Sequence, residues 1–310
     1  MAQHVPEKTF KSFTPEQAAA YATGRGQSYP EPLYEAIIRY HQGKLDTVLD
    51  VGTGPGKVVR DMLQYCEKGI GCDASVNMIE QAKLDAAQRG LSDQTSFHVA
   101  DAEHCDEAVT ESGLQHVDLI TAGTAAHWFD MPRFYAAAAK ALRSGGTIAM
   151  WAPSSYYIHP SEPRAEEIQA ILSNLEDNYL KPYMQPGSLL ARQGYEKLPL
   201  PWQSPDLKHL FVESAFEHVD WDLGGVPSAP PLADGTPGPF LMSSGWSMKQ
   251  AMAGLSSSSP VIRWREAHPD KALTEEDPIM LTANALKKFI GEEGTLKAAS
   301  ALSLLLLRRA

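Results

Sequence analysis

Between residues 47 and 151, short apolar runs alternate with stretches of helical periodicity. Thr47-Val48-Leu49-Asp50-Val51 reads as a first strand, followed by a Gly-rich turn. A helix over about 56–66 comes next, because Val58, Val59, Met62, Leu63 and Cys66 recur at helical spacing. A second strand covers 69–72 and ends at Asp73, and Ser75 is placed to cap a helix running to about 89. A third strand is predicted over 95–100 and a fourth over 117–122, with a short helix between them. Residues 132–142 read as a helix stopped by Ser144-Gly145-Gly146, and 147–151 as a fifth strand.

Alternation at this spacing implies an α/β fold with a doubly wound, parallel sheet and right-handed crossovers. In such sheets ligands bind outside the carboxyl ends of the strands. The residues to inspect are therefore 50–56, Asp73, Asp101 and 121–129.

Beyond Trp151 the pattern weakens. Helices are expected over 165–180 and 187–197, a strand over 216–223, helices over 248–255 and 277–290, and a last strand over 296–307. The stretch 224–240 holds five prolines and four glycines and reads as a loop or mobile segment. The resulting division is an amino-terminal segment at 1–43, a core at 44–151, an insertion at 152–215 that would cap the strand ends, and a carboxyl-terminal part at 216–310 holding the remaining strands and further cap helices.

Composition narrows the function. The 310 residues carry 27 Lys and Arg against 38 Asp and Glu, a net charge of −11. Phosphate backbones and anionic membranes want clustered basic residues, and no basic run here exceeds two residues, as in Arg308-Arg309. Nucleic acid and membrane partners are therefore not expected. No apolar run nears the roughly 18 residues of a membrane span, and residues 1–10 lack the apolar core of a signal peptide. Three widely spaced cysteines, Cys66, Cys72 and Cys105, suit free thiols in a reducing compartment and a cytoplasmic location. No metal site is expected.

The chemistry concentrates in Asp50-Val51-Gly52-Thr53-Gly54-Pro55-Gly56, between a strand and a helix. Glycines there let a ligand approach the backbone closely. A dinucleotide fingerprint would place a third small residue where Lys57 stands. The spacing is instead G-x-G-x-G after an acid, which repels a pyrophosphate and attracts an amino group. S-adenosylmethionine fits that requirement. Asp73 could accept hydrogen bonds from ribose hydroxyls, a role common to both cofactor classes. Asp101 could accept an adenine amino group or cap the next helix. Met78 could pack on the adenine face or in the core.

These residues are familiar. The glycine loop, Gly71-Cys72-Asp73-Ala74-Ser75-x-x-Met78 and Ala100-Asp101-Ala102-Glu103 resemble class I S-adenosylmethionine-dependent methyltransferases. Tyr29-Pro30, Ala126-His127-Trp128-Phe129-Asp130 and 142–151 resemble the trans-aconitate methyltransferase family. Its fungal branch is similar at Trp246 and 264–269 as well. The resemblance implies a Rossmann-like, seven-stranded, mostly parallel sheet with an antiparallel last strand, plus a helical cap. It implies that Asp50, Gly52 and Gly54 flank the methionine moiety, with Thr121 and Ala122 on the same side. Asp73 would hold the ribose, and Asp101 and Ala102 the adenine, with Ala74 and Met78 as further candidate cofactor contacts. Tyr21 and Arg25 match a segment that folds over the site, although Gly26 stands where the family often has proline.

Methyl transfer needs nucleophile, carbon and sulfur in line and water excluded. His127 is the candidate general base, with a side chain that titrates near neutrality; the other reading gives it a structural or substrate-shaping role. Trp128 and Phe129 are candidate substrate walls or core residues, and Trp151 and Tyr157 candidate substrate contacts or packing residues. The expected activity is transfer of a methyl group to a small molecule, with an oxygen acceptor favoured. The alternative is a protein that binds the cofactor as a regulator or non-methylating catalyst. The oligomeric state is left open.

Overall fold

The computed structural model describes residues 11, 13–24, 28–242, 244–291 and 294–310. Helices α1 (Pro15–Gly24) and α2 (Glu31–Tyr40) precede the alternating core. The core runs β1 (Thr47–Val51), α3 (Lys57–Met62), β2 (Lys68–Asp73), α4 (Val76–Gln88), β3 (Thr95–Val99), α5 (Cys105–Glu111), β4 (Val117–Gly123), α6 (Met131–Ala141) and β5 (Leu142–Ile158). Strands β1 to β5 pair in parallel. Val48, Leu49, Val51, Leu119, Ile120 and Ala122 are fully buried, as strands covered on both faces require. On one face Val59, Ile79, Ala82 and Phe97 pack α3 and α4 onto β3.

The remaining elements are α7 (Ala165–Asn174), α8 (Pro186–Arg192), β6 (Glu217–Trp221), β7 (Ser244–Ser247), α9 (Met248–Ser256), α10 (Ser259–Ala267), α11 (Pro278–Ile290) and β8 (Thr295–Arg308). Among the described residues the strand order is β3-β2-β1-β4-β5-β8-β6. The end of β8 runs antiparallel to β5, since Gly145 N–H donates to the Arg309 carbonyl and Arg309 N–H to that of Gly146. The fold is thus α/β and Rossmann-like, mostly parallel, as the sequence implied. The short β7, which pairs antiparallel with 295–298, is an addition that four residues of Ser-Gly-Trp-Ser did not announce.

Two local expectations are corrected. Ser144-Gly145-Gly146 does not stop a helix after a gap; α6 ends at Ala141 and β5 starts at Leu142. The three residues form an irregularity in β5, where the β4 register shifts. A Cβ at Gly146 would lie 2.9 Å from the Arg143 carbonyl oxygen, so only glycine fits. The predicted helix at 187–197 ends at Arg192, because Gly194 and Tyr195 both take left-handed backbone angles.

The chain divides into two compact units. The first holds the described residues to Ala152, with Tyr195–Val219 and Ser303–Ala310; the second holds Pro153–Gly194 and Asp220–Leu302. Residues 195–219 therefore group with the sheet, not with the helices on either side of them in sequence. Tyr135 shows why: its hydroxyl donates to the Pro199 carbonyl and its ring packs on Phe211. In the second unit, Ile168, Leu172, Leu175 and Leu286 are part of a separate apolar core. The Pro/Gly-rich loop there is pinned by buried Asp222, whose carboxylate accepts from Ser228 N–H and Leu241 N–H. Among the described residues, no helix is long and apolar enough to cross a membrane.

Candidate functional site

The strand order reverses between β1 and β4, and the glycine loop lies at the carboxyl end of β1. Its three glycines do different work. Gly52 has φ +68°, and a Cβ there would lie 2.6 Å from the Ala125 Cβ. Gly56 has φ +77°, and its Cβ would meet the Phe97 ring at 2.9 Å. Gly54 has φ +52° and nothing within 4 Å of where its Cβ would be. Gly52 and Gly56 therefore permit packing, while Gly54 presents its backbone to open space. The loop hangs on β2: the Cys72 carbonyl accepts from Gly52 and Thr53 N–H at 2.8 and 3.0 Å.

Asp73 joins the loop to the next helix. One carboxylate oxygen accepts from Gly54 N–H at 2.9 Å and the other from Ser75 N–H at 2.8 Å. Each oxygen keeps a further lone pair for a ligand hydroxyl. Burial raises the Asp73 pKa, against the two N–H donors that lower it. Ala74 is half-buried, and Ser75 caps α4 by accepting from Met78 N–H, as its position in the sequence foretold. Met78 itself is almost wholly buried. Asp101 is exposed and pairs with Lys11 at 3.1 Å, and its side chain does not cap the short turn that begins at Ala102.

Beneath the loop, Asp50 is 1% exposed and accepts a 2.7 Å hydrogen bond from the Thr121 hydroxyl. Burial pushes its pKa up to about 7, with the Thr121 bond opposing. Ala122 follows in β4, fully buried. After β4 comes Thr124, whose backbone is left-handed at φ +58°. Its N–H donates to the Trp151 carbonyl, and its hydroxyl lies 2.8 Å from that of Tyr29. The Lys57 ammonium lies 4.6 Å from the centre of the Tyr29 ring.

His127 stands on the short turn Ala126–Trp128. Its Nδ1 is 2.9 Å from the Tyr195 hydroxyl, and its ring lies 4.8 Å from that of Trp128. Phe129 packs against Phe134 and would contact a Cβ placed on Gly52. The ends of β1, β2 and β4 thus gather Asp50, Gly52, Gly54, Asp73 and Thr121, with Phe129 against the loop. Trp151 is enclosed instead: Tyr29 and Tyr34 meet its ring edge-on, and it has no exposed surface to offer an acceptor. Tyr157 belongs to the second unit. Tyr21 packs edge-on against Phe13 at 6.0 Å, and Arg25 lies outside the described residues.

Sequence reasoning missed Tyr195 and Thr124. For Tyr195, Gly194 was an available sign that the helix would end. Thr124 gave none, because threonine rarely adopts positive φ.

The donor set suits a cofactor with an amine and a ribose. Open backbone at Gly54, a carboxylate at Asp73 with spare lone pairs and a buried acid under the loop leave no built phosphate cradle. Residues 42–194 match a family model described as Methyltransferase domain. Over this segment the chain is similar to methyltransferase domains. The cofactor that goes with this domain is S-adenosylmethionine. A Saccharomyces cerevisiae protein assigned as an S-adenosylmethionine-dependent methyltransferase is 32% identical over 133 residues, 43% of this chain and 43% of its own. The tRNA 5-carboxymethoxyuridine methyltransferase of Escherichia coli is 33% identical over 135 residues, 42% of this chain and 50% of its own. The chain spans about half the length of the curated relatives it matches. A solved structure assigned as a type II methyltransferase, from Anaeromyxobacter dehalogenans, has the same fold: TM-score 0.59 and 21% identity, covering 91% of this chain and 96% of that one.

Proposed function

We propose that the chain is an S-adenosylmethionine-dependent methyltransferase of a small molecule, with a carboxylate or hydroxyl oxygen as acceptor. The observation that carries the reading is Asp73, which ties Gly54 N–H to Ser75 N–H, with open space beside Gly54. When bound, the cofactor supplies a methyl group on a positively charged sulfur. In this reading Asp73 and Ala74 hold the ribose, and Asp101, Ala102 and Met78 surround the adenine. Asp50, Gly52, Gly54, Thr121 and Ala122 take the methionine end, where ionised Asp50 complements an ammonium. Tyr21 and Arg25 belong to the segment assigned to cover the cofactor. His127 serves the acceptor through Nε2, with Trp128 and Phe129 as apolar neighbours.

The Tyr195 contact at Nδ1 supports reading His127 as a donor, not a base. Backbone N–H groups of Ala126 and His127 act on the Tyr195 oxygen, and burial raises the Tyr195 pKa, so it keeps its proton. In this reading the hydroxyl donates to Nδ1, the tautomer that carries the ring hydrogen on Nε2. An acidic acceptor needs no base.

The test is formation of S-adenosylhomocysteine across a panel of carboxylic acids, phenols and amines, with transfer RNA as a separate arm. The net charge of −11 argues against RNA, whereas kinship to a tRNA methyltransferase makes that arm necessary. Turnover confined to amines or RNA would overturn the reading. Cofactor binding without turnover on any arm would favour a non-methylating role. Three buried free cysteines accord with the proposed cytoplasmic location.

A further inference from the structure

The second unit contains a cavity of about 260 Å³ of its own. That is near the lower end for small-molecule sites and has room for one or two rings. It forms where the helix that begins as α7 changes pitch. Residues Leu175–Leu180 make a π-helical turn, a widened geometry often found at functional sites. Leu175, Glu176 and Leu180 of that turn line the cavity, with Leu172 and Leu255 completing an apolar side. Tyr156 and Tyr157 add aromatic surface. Tyr157 is backed by Gly225 of the Pro/Gly-rich loop, at φ +80°, where a Cβ would come within 3.0 Å of the ring.

The polar side is a matched pair. The Arg192 guanidinium lies 3.1 Å from Glu176, and both are mostly covered, at 19% and 29% exposure. The Ser155 hydroxyl also donates to Glu176, at 3.5 Å. Asp177, also in the lining, is balanced by Lys181 at 3.8 Å. The guanidinium is already neutralised, so a ligand with two or three carboxylates would meet Glu176 and Asp177 with little net attraction. A neutral hydroxyl is suited on both counts: it can donate to Glu176 and accept from Arg192.

We propose that this cavity, built on the Leu175–Leu180 π turn and the Arg192–Glu176 pair, binds a neutral, hydroxylated aromatic small molecule. Phenols keep their proton at neutral pH, near three units below their usual pKa of about 10.

Resorcinol and tricarballylate, as neutral and trianionic probes, would be titrated into the full chain by calorimetry at pH 7. S-adenosylhomocysteine, titrated separately, reports the methyltransferase reading on its own. Resorcinol is expected to bind at millimolar concentration, and Glu176→Gln to weaken it about tenfold, the scale of one charge-assisted hydrogen bond. Leu172→Trp, which fills the cavity, is expected to abolish it, with a thermal melt as the folding control. Glu176→Gln should also admit tricarballylate by releasing Arg192. The proposal is overturned if wild type prefers tricarballylate, if neither probe binds, or if Glu176→Gln leaves resorcinol binding unchanged.

Discussion

Thr121 donates its hydroxyl to Asp50 at 2.7 Å between register partners of β1 and β4, at the point where the strand order reverses. The bond holds a carboxyl in a fully buried place, and burial raises its pKa to about 7. The sign follows from linkage. A raised folded-state pKa favours the protonated acid, so its contribution to stability is complete below about pH 4. It is lost as pH rises through about 7. A cofactor ammonium near Asp50 favours the carboxylate, and binding then releases a proton. S-adenosylhomocysteine affinity is therefore expected to rise with pH, by at most about tenfold per unit and per group, and to level off above 7. Burial of Asp73 acts in the same sense. Asp50→Asn should reduce the slope and stabilise the free protein at pH 8. Calorimetry showing pH-independent affinity in wild type would remove Asp50 from the amine site.

Asp73 has two duties that a pair of substitutions separates. It satisfies Gly54 N–H and Ser75 N–H, and it is assigned to the ribose. Asp73→Ala is expected to weaken S-adenosylhomocysteine binding by roughly 1.5–3 kcal/mol, the range for hydrogen bonds to charged groups, and to lower the melting temperature. Asp73→Asn keeps one acceptor and should recover much of the melting temperature but little of the affinity. Wild-type affinity in both variants would place the ribose elsewhere.

The Tyr195–His127 contact makes a prediction about a single proton. Glutamine offers a donor about where Nε2–H stands but is no base. With Nδ1 accepting from Tyr195, His127→Gln should keep turnover within about tenfold of wild type on the true acceptor. General-base catalysis typically contributes about 10²–10⁴, and a loss of that size would show that His127 takes a proton.

Much of this arrangement was legible in the residues because the parallel core has strong local signals. Strands β1 to β4 are bounded by the loop glycines, Asp73, Asp101 and Gly123, and the cap at Ser75 lies where the sequence placed it. The rest depends on contacts distant in sequence. Residues 195–219 return to the sheet because Pro199 and Phe211 satisfy Tyr135, which no periodicity records. The π turn at Leu175–Leu180 carries the same apolar spacing as an ordinary helix, so it read as a continuation of α7. Trp151 looked available because it ends an apolar strand segment, yet Tyr29 and Tyr34, more than a hundred residues earlier, enclose it.

The glycine loop supplies the sharpest contrast between stability and binding. At Gly52 an added Cβ meets the Ala125 Cβ at 2.6 Å, in a backbone of φ +68°. Overpacking typically costs about 1–3 kcal/mol, and a left-handed backbone roughly 1–2 more. Gly52→Ala is therefore expected to lower the melting temperature clearly, and binding with it. At Gly54 the φ of +52° brings only the backbone cost, since nothing lies within 4 Å of the new methyl. That methyl would instead project into the space assigned to the cofactor. Gly54→Ala should melt close to wild type while S-adenosylhomocysteine affinity falls at least about tenfold, the equivalent of 1.4 kcal/mol. Thermal melts and calorimetric titration of both variants read the two effects apart. Full affinity in Gly54→Ala would mean that the open side of the loop does not face the ligand.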